Sequence, residues 1–279
     1  MNIRDLLSTA CRLLDSGPER RLEAEILLCH SLAVSRSWLY AHPERQVESR
    51  QHADFLLLVQ RRGQGEPIAY LTGSREFWSL GLKVTPDVLI PRPETELLVE
   101  TVLARIPLDA PWRIADLGTG SGAIALAIAR ERPGCEVWAT DISPAALSIA
   151  QENIDALGLG HIHLHQGSWL SPLAGKFNCI VSNPPYVSCN DPHMKEGDIR
   201  FEPASALTSG ADAMASIRHI AVESLPRLED GGLLAFEHGY EQGAASRQLL
   251  LQLGYADVET IRDLAGLERV TKGKKPRPA

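Results

Sequence analysis

The sequence predicts an α/β protein. A mainly parallel sheet with a terminal antiparallel hairpin follows a small N-terminal helical domain. Three observations predict it. From Trp112 onward, short apolar runs alternate with helix-length segments, as in parallel strands joined by crossover helices. Two strand-like runs near the end, 256–261 and 267–270, are too close for a crossover and must pair antiparallel. Before residue 67, apolar residues recur at helical spacing instead.

Ile3, Leu6, Leu7 and Ala10 define the first helix, which Ser16-Gly17-Pro18 breaks. Helices are expected at 19–33 and 47–62, the latter ended by Gly63 and Gly65. Together they make a helical domain over 1–66. Residues 67–93 read as a β-hairpin and linker: Thr72-Gly73 separates two β-like runs, and Pro86, Pro91 and Pro93 keep the chain irregular. The third region, 94–279, opens on a helix reaching about residue 106. Strands are expected at 113–117, 135–140, 162–165, 177–181 and 233–237. Helices are expected at 121–131, 144–157, 211–228 and 242–253. Lys272, Lys274, Lys275 and Arg277 are expected to form a frayed basic tail.

Of 279 residues, 44% are hydrophobic and 23% charged, which excludes a disordered or collagen-like chain. No apolar run approaches the ~18 residues of a membrane span, so no membrane association is expected. Arg4, Asp5, Arg12 and Asp15 interrupt the N-terminal stretch, unlike a secretion signal. The five cysteines are odd in number and none is spaced as CxxC, so they read as reduced thiols of a cytoplasmic protein without a zinc site. The first 85 residues carry 11 basic and 10 acidic groups; the rest carry 17 and 25. An acidic C-terminal region argues against direct nucleic-acid binding through a broad basic surface.

Chemistry concentrates in three segments. Asp116-Leu117-Gly118-Thr119-Gly120-Ser121-Gly122 follows a strand and opens a helix. Glycines there let a ligand approach the backbone, beside the free N–H groups of a helix start. Gly118, Gly120 and Ala123 satisfy the relaxed dinucleotide pattern, so this loop does not separate a nicotinamide dinucleotide from S-adenosylmethionine. A tight turn without a ligand is the third reading. Asp141 ends the next strand, 21 residues beyond Gly120. Its carboxylate suits the vicinal hydroxyls of a ribose, or it caps the helix opening at Pro144.

The third segment, Ser182-Asn183-Pro184-Pro185-Tyr186, decides the class. Two prolines remove two backbone donors and stiffen the chain. The Pro184 carbonyl and the Asn183 side chain are two acceptors, and Tyr186 offers a flat face. Together they suit a planar group carrying NH2. At the carboxyl end of a central strand, where open α/β sheets bind ligands, this is more than a proline-rich loop. His161, His163 and His165 alternate on one strand face, but no acidic or Cys ligand lies nearby in sequence, so no metal is expected. Glu237 and His238 end a strand, and either line the site or make a buried polar contact. Residues 191–198 are expected to fold over the substrate as a loop.

DLGTGSG, Asp141 and NPPY, in this order, resemble the class I S-adenosylmethionine (SAM)-dependent methyltransferases, Rossmann-like enzymes, that act on planar exocyclic nitrogens. Within them the chain closely resembles the HemK/PrmC family. EPIAYLTG, REFWSL, IPRPETE, DPHMKEGDIRFEP, AFEHG and LERVTKGK carry that likeness across nearly the whole length. The resemblance implies transfer of a methyl group from S-adenosyl-L-methionine to the N5 amide nitrogen of the glutamine in the GGQ motif of class 1 peptide chain release factors. It implies that Gly118, Thr119, Gly120, Ser121 and Gly122 hold the methionine part of the cofactor, that Asp141 binds the ribose, and that Trp169 packs near the adenine. Asn183 would touch cofactor and substrate, with Pro184, Pro185 and Tyr186 completing the glutamine socket. Arg92, Pro93 and Glu94 would form a lip over the site, unless Arg92 and Glu94 are a solvent ion pair. The helices of 1–66 would recognise the substrate protein, and 94–279 would be the methyltransferase domain. The competing reading is an N6-adenine methyltransferase for DNA or RNA, whose target amine has the same shape.

Overall fold

The computed structural model describes residues 1–14, 17–192 and 197–278. Ser16 of the first helix break, and residues 193–196 of the loop expected over the substrate, lie outside the described residues. The chain divides into two compact units at residues 74 and 75, with the 3-10 turn Gly197–Phe201 belonging to the first.

The first unit holds helices α1 (Ile3–Leu13), α2 (Arg20–Leu32), α3 (Arg36–Ala41), α4 (Ser49–Gly63) and α5 (Ile68–Thr72). Its core is built on Leu6, Leu27, Leu28, Phe55 and Val59, all fully buried. Beneath that core lies a carboxylate: Glu25 accepts from Arg21 Nε at 2.6 Å, Arg36 Nη2 at 2.8 Å and the Tyr40 hydroxyl at 2.9 Å. Burial alone would raise its pKa, but these donors outweigh it and the carboxyl lies below the ordinary value. The pair to Arg36 joins α2 to α3. In the same unit Arg62 bridges Glu23 at 2.6 Å and Asp198 at 2.8 Å.

Two expectations are corrected here. The segment before Thr72-Gly73 is the helix α5, not a β-run; five residues are too few to show a period, and Pro67 sets its first turn. Helix α3, six residues long, escaped the sequence reading for the same reason, although Ser35 caps it by accepting from Trp38 N at 3.2 Å.

In the second unit a hairpin of β1 (Ser74–Phe77) and β2 (Leu80–Lys83) leads to a 3-10 turn, Pro93–Thr95, and helix α6 (Glu96–Leu103). Alternation follows: β3 (Arg113–Leu117), α7 (Ala123–Glu131), β4 (Glu136–Asp141), α8 (Pro144–Leu157), β5 (Ile162–Gln166), β6 (Phe177–Ser182), α9 (Ala204–Leu207), α10 (Ala215–Arg227), β7 (Leu228–Glu237), α11 (Gly243–Gln252), β8 (Ala256–Arg262) and β9 (Glu268–Lys274). The seven strands lie in the order β5-β4-β3-β6-β7-β9-β8. Strands β3 to β7 are parallel, and β9 runs antiparallel between β7 and β8. Apolar side chains cover both faces. Leu98 and Val102 of α6, Ile128 of α7 and Ile154 of α8 pack against Ile114, Val137 and Val181. Ile217 and Ile220 of α10 and Leu250 of α11 pack against Ala115, Ile180 and Leu234 on the other face.

The expected frayed tail is corrected as well. Lys272 and Lys274 belong to β9, where they pair with Glu259 at 3.1 Å and Asp257 at 2.6 Å, and Lys275 follows, paired with Asp230 at 3.1 Å. Opposite charges on neighbouring strands hold what composition alone suggested was loose. Strand β7 begins five residues earlier than expected, and α10 starts four residues later, behind the short α9.

Candidate active site

The order of strands reverses at the β3–β6 pair, since β4 lies on one side of β3 and β6 on the other. Loops leaving the carboxyl ends there part to opposite faces and open a crevice. Register brings the three sequence signals to this edge: Leu117 is level with Thr140 on β4 and with Ser182 on β6. The Ser182 hydroxyl donates to the Leu117 carbonyl at 2.7 Å, tying the start of NPPY to the start of the glycine loop.

The crevice holds a cavity of about 230 Å³ lined by, among others, Gly118, Gly120, Asp141, Trp169, Asn183 and Pro185. The loop itself is held from behind. Thr119 donates its hydroxyl to Asp116 Oδ2 at 2.6 Å, and the Ser121 carbonyl accepts from Asn153 Nδ2 at 2.9 Å. Both side chains are buried, and neither is among the lining residues. Gly122 starts α7 at φ +85°, where an added Cβ would lie 3.2 Å from Leu126 Cδ1. At Gly118, φ +73°, an added Cβ would lie 3.4 Å from the Trp169 ring. Trp169 itself sits at φ +48°, a left-handed conformation costly for an aromatic residue.

Asp116 is fully buried. Its Oδ2 also accepts from Ala125 N at 3.2 Å, while Oδ1 has no partner among the described residues. Burial pushes the carboxyl up to about 7 despite the two donors, and Asp141 adds like-charge repulsion. Asp141 accepts from Gly120 N at 2.9 Å on one oxygen and from Ser143 N at 2.9 Å on the other. The cap of α8 is Ser143, whose hydroxyl oxygen accepts from Ala146 N, so the capping role considered for Asp141 falls to its neighbour. Each Asp141 oxygen retains a lone pair for a hydroxyl in the cavity.

Behind NPPY runs a chain of hydrogen bonds. Asn183 Nδ2 donates to Thr95 Oγ1 at 3.1 Å, Thr95 donates to Glu237 Oε2 at 2.7 Å, and the Tyr186 hydroxyl donates to Glu237 Oε1 at 2.9 Å. Glu237 is 1% exposed. Burial raises its pKa, opposed by the bonds from Thr95 and Tyr186. Burial and the adjacent carboxylate likewise raise that of Tyr186. The Tyr186 carbonyl accepts from Gln242 Nε2 at 3.1 Å. Pro184 and Tyr186 therefore stand beside the cavity lining, with Asn183 and Pro185 in it.

Arg92 forms a pair with Glu202, not with Glu94, so the solvent ion pair considered for Arg92 and Glu94 is not the one formed. The Glu202 side chain is fully buried and also accepts from Ile90 N at 3.1 Å. The next residues, Pro203, Ser205 and Ala206, form part of the cavity wall, as do Asp87, Val88 and Leu89. Sequence reading passed over Thr95, Glu202 and this wall. The signal for Thr95 was a small polar residue inside IPRPETE, at a helix start, two positions after proline. His238 is a buried polar contact: its Nδ1 donates to the Gly239 carbonyl at 2.8 Å, so Nε2 accepts from Thr271 at 2.8 Å. His165 stacks on Trp138, and His163 packs against the same ring at a tilt. Among the described residues no group of three or more His, Cys, Asp or Glu could hold a metal ion.

Comparison with known proteins bears on both units. Residues 5–73 match the family model of the PrmC N-terminal domain, and residues 93–209 that of the methyltransferase small domain. The chain is 50% identical over 275 residues to the release factor glutamine methyltransferase of Escherichia coli, a match spanning 98% of this chain and 99% of that protein. It is 51% identical over 255 residues to the protein of the same name from Vibrio cholerae, spanning 91% and 89%. Among solved structures, the 16S rRNA N2 G1207 methyltransferase of T. thermophilus, in complex with AdoMet and guanosine, shares the fold. The TM-score is 0.55 and the identity 20%, over 72% of this chain and 49% of that one.

Proposed function

The chain belongs to the release factor glutamine methyltransferases, and from that premise we propose that it transfers a methyl group from S-adenosyl-L-methionine to the N5 amide nitrogen of the GGQ glutamine in class 1 peptide chain release factors. The observation that carries this reading is the meeting of Gly118, Gly120, Asp141, Trp169 and Asn183 around one cavity.

The residues fit the cofactor. The backbone from Gly118 to Gly122 would hold its methionine part, and Gly118 is the residue a neighbouring indole leaves room for. Asp141 keeps acceptor capacity for a ribose after its two amide contacts. Trp169 and Ile142 give the cavity the apolar surface that an adenine ring needs. When bound, the cofactor supplies an electrophilic methyl group on a sulfonium.

The remaining chemistry belongs to the protein. An amide nitrogen is a poor nucleophile because its lone pair is shared with the carbonyl. Asn183 Oδ1 and the Pro184 carbonyl accept the two N–H bonds of the substrate amide and aim its lone pair, which supplies orientation. As positive charge grows on that nitrogen the two acceptors bind more strongly, so they favour the transition state over the ground state. Pro184 and Pro185 keep the socket rigid, and Tyr186 lies along the amide plane. The helical unit grips the body of the release factor. Its substrate being a translation factor, the work is done in the cytoplasm; among the described residues no helix is long and apolar enough to cross a membrane.

Intact-mass measurement of a purified release factor incubated with the enzyme and SAM tests the reading. One added methyl, located by fragmentation on the GGQ glutamine, is expected. No gain, or methylation of adenine in nucleic acid instead, overturns it.

A further inference from the structure

We propose that Thr95 and Glu237 are positioning residues: they fix which end of the Asn183 amide faces the reacting nitrogen. The inference rests on the function proposed above and adds the device that sets the polarity of its socket.

The bonds from Thr95 and Tyr186 and the charge of Arg269 favour the ionised form of Glu237 against its burial, and as a carboxylate it can only accept. Both its oxygens are engaged, Oε1 by Tyr186 at 2.9 Å and Oε2 by Thr95 at 2.7 Å. The single proton of the Thr95 hydroxyl is therefore committed to Glu237, and what Thr95 can still offer is a lone pair. Asn183 lies 3.1 Å from that oxygen and must meet it with its NH2. The carbonyl Oδ1 is then turned to the cavity that Asn183 lines. Without the relay the amide can rotate by half a turn. Its NH2 would then face the substrate NH2, donor against donor, and one of the two aiming acceptors would be lost. The same carboxylate also anchors the Tyr186 hydroxyl, so one buried group orients both ends of NPPY. Its burial makes this effective, since at 1% exposure no solvent competes for the two hydroxyls.

The variants Thr95→Val and Thr95→Ser separate this role from packing. Valine keeps the shape of threonine and removes the hydroxyl; serine keeps the hydroxyl and removes a methyl. With SAM and purified release factor, Thr95→Val is expected to lower kcat at least tenfold, with KM for SAM within threefold, and Thr95→Ser to stay within threefold of wild type in both. In Glu237→Gln the relay is already uncoupled, so adding Thr95→Val should cost less than twofold more. Thermal melting and SAM binding identify any variant that fails to fold. A second readout needs no turnover: the side-chain amide protons of Asn183 in a 15N spectrum should shift in Thr95→Val and keep their wild-type positions in Thr95→Ser. Full activity in Thr95→Val, equal losses in both threonine variants, or multiplicative losses in the double variant overturns the relay. Lack of transfer by the wild-type enzyme would instead overturn the proposed function and leave the NMR arm standing.

Discussion

Asp116 gives a pH dependence whose sign and size follow from its surroundings. The side chain is fully buried, one oxygen has no partner among the described residues, and its pKa rises to about 7 from the ordinary 3.8. In the unfolded chain it ionises near that ordinary value. Between the two values the folded state keeps a proton that the unfolded state has released, so stability falls as pH rises through this window and levels off above it. Each pKa unit is worth about 1.4 kcal/mol, so the window from pH 5 to pH 8 spans roughly 2–3 kcal/mol. Asp116→Asn removes the titration. An asparagine with its carbonyl at the Oδ2 position keeps the bonds from Thr119 and Ala125. Hydrogen exchange at the β3 amides follows opening of this unit without assuming that both units unfold together. Comparing the two proteins at the same pH cancels the intrinsic exchange rate. The cofactor-free variant should gain about 2–3 kcal/mol on the wild type between pH 5 and pH 8. A difference that stays constant across that range, or shrinks, refutes the reasoning.

Two more outcomes follow from the site. Asn183→Ala should slow transfer at least a hundredfold, about 3 kcal/mol of transition-state stabilisation, with SAM affinity within tenfold by calorimetry; unchanged turnover would refute the socket. Gly122→Ala forces a side chain into φ +85° with its Cβ 3.2 Å from Leu126, a cost of roughly 1–2 kcal/mol for the backbone alone. Its melting temperature should fall by several degrees, and a variant as stable as wild type would show that the loop has another conformation available.

What the sequence revealed of this protein depended on distance along the chain. The alternation from β3 to α8 was readable because each strand and helix carries its own period, and the site signals sit at strand ends. Asp116 to Gly122, Asp141 and 182–186 lie at the carboxyl ends of β3, β4 and β6, so a sheet that aligns carboxyl ends brings them together without further information. Thr95 and Glu237 were different. They are 142 positions apart and meet through a side-chain hydrogen bond, which no local pattern encodes. Glu202 likewise finds Arg92 across 110 positions. A lone acidic residue in a charged segment reads as surface until the fold buries it. The tail failed in the opposite sense: its lysines looked solvated because their acidic partners lie on other strands.

This division bears on how the site can work. Among the described residues lining the cavity the titratable ones are Asp87, which accepts from the Thr85 hydroxyl at 3.1 Å, and Asp141, each of whose oxygens accepts from a backbone amide. A mechanism that began by deprotonating the substrate would need a base free to receive the proton, poised near neutral pH. Methyl transfer to an amide has no such need at the outset, since the nitrogen becomes acidic only as the new bond forms. The demand falls instead on geometry. In the proposed socket, half a turn of the Asn183 amide would reverse the pattern offered to the substrate. Geometry of that kind is held by buried bonds to distant parts of the chain, here from the turn before α6 and the end of β7. The residues proposed to contact the reacting group can be read locally, whereas those that keep them in place are supplied by the fold.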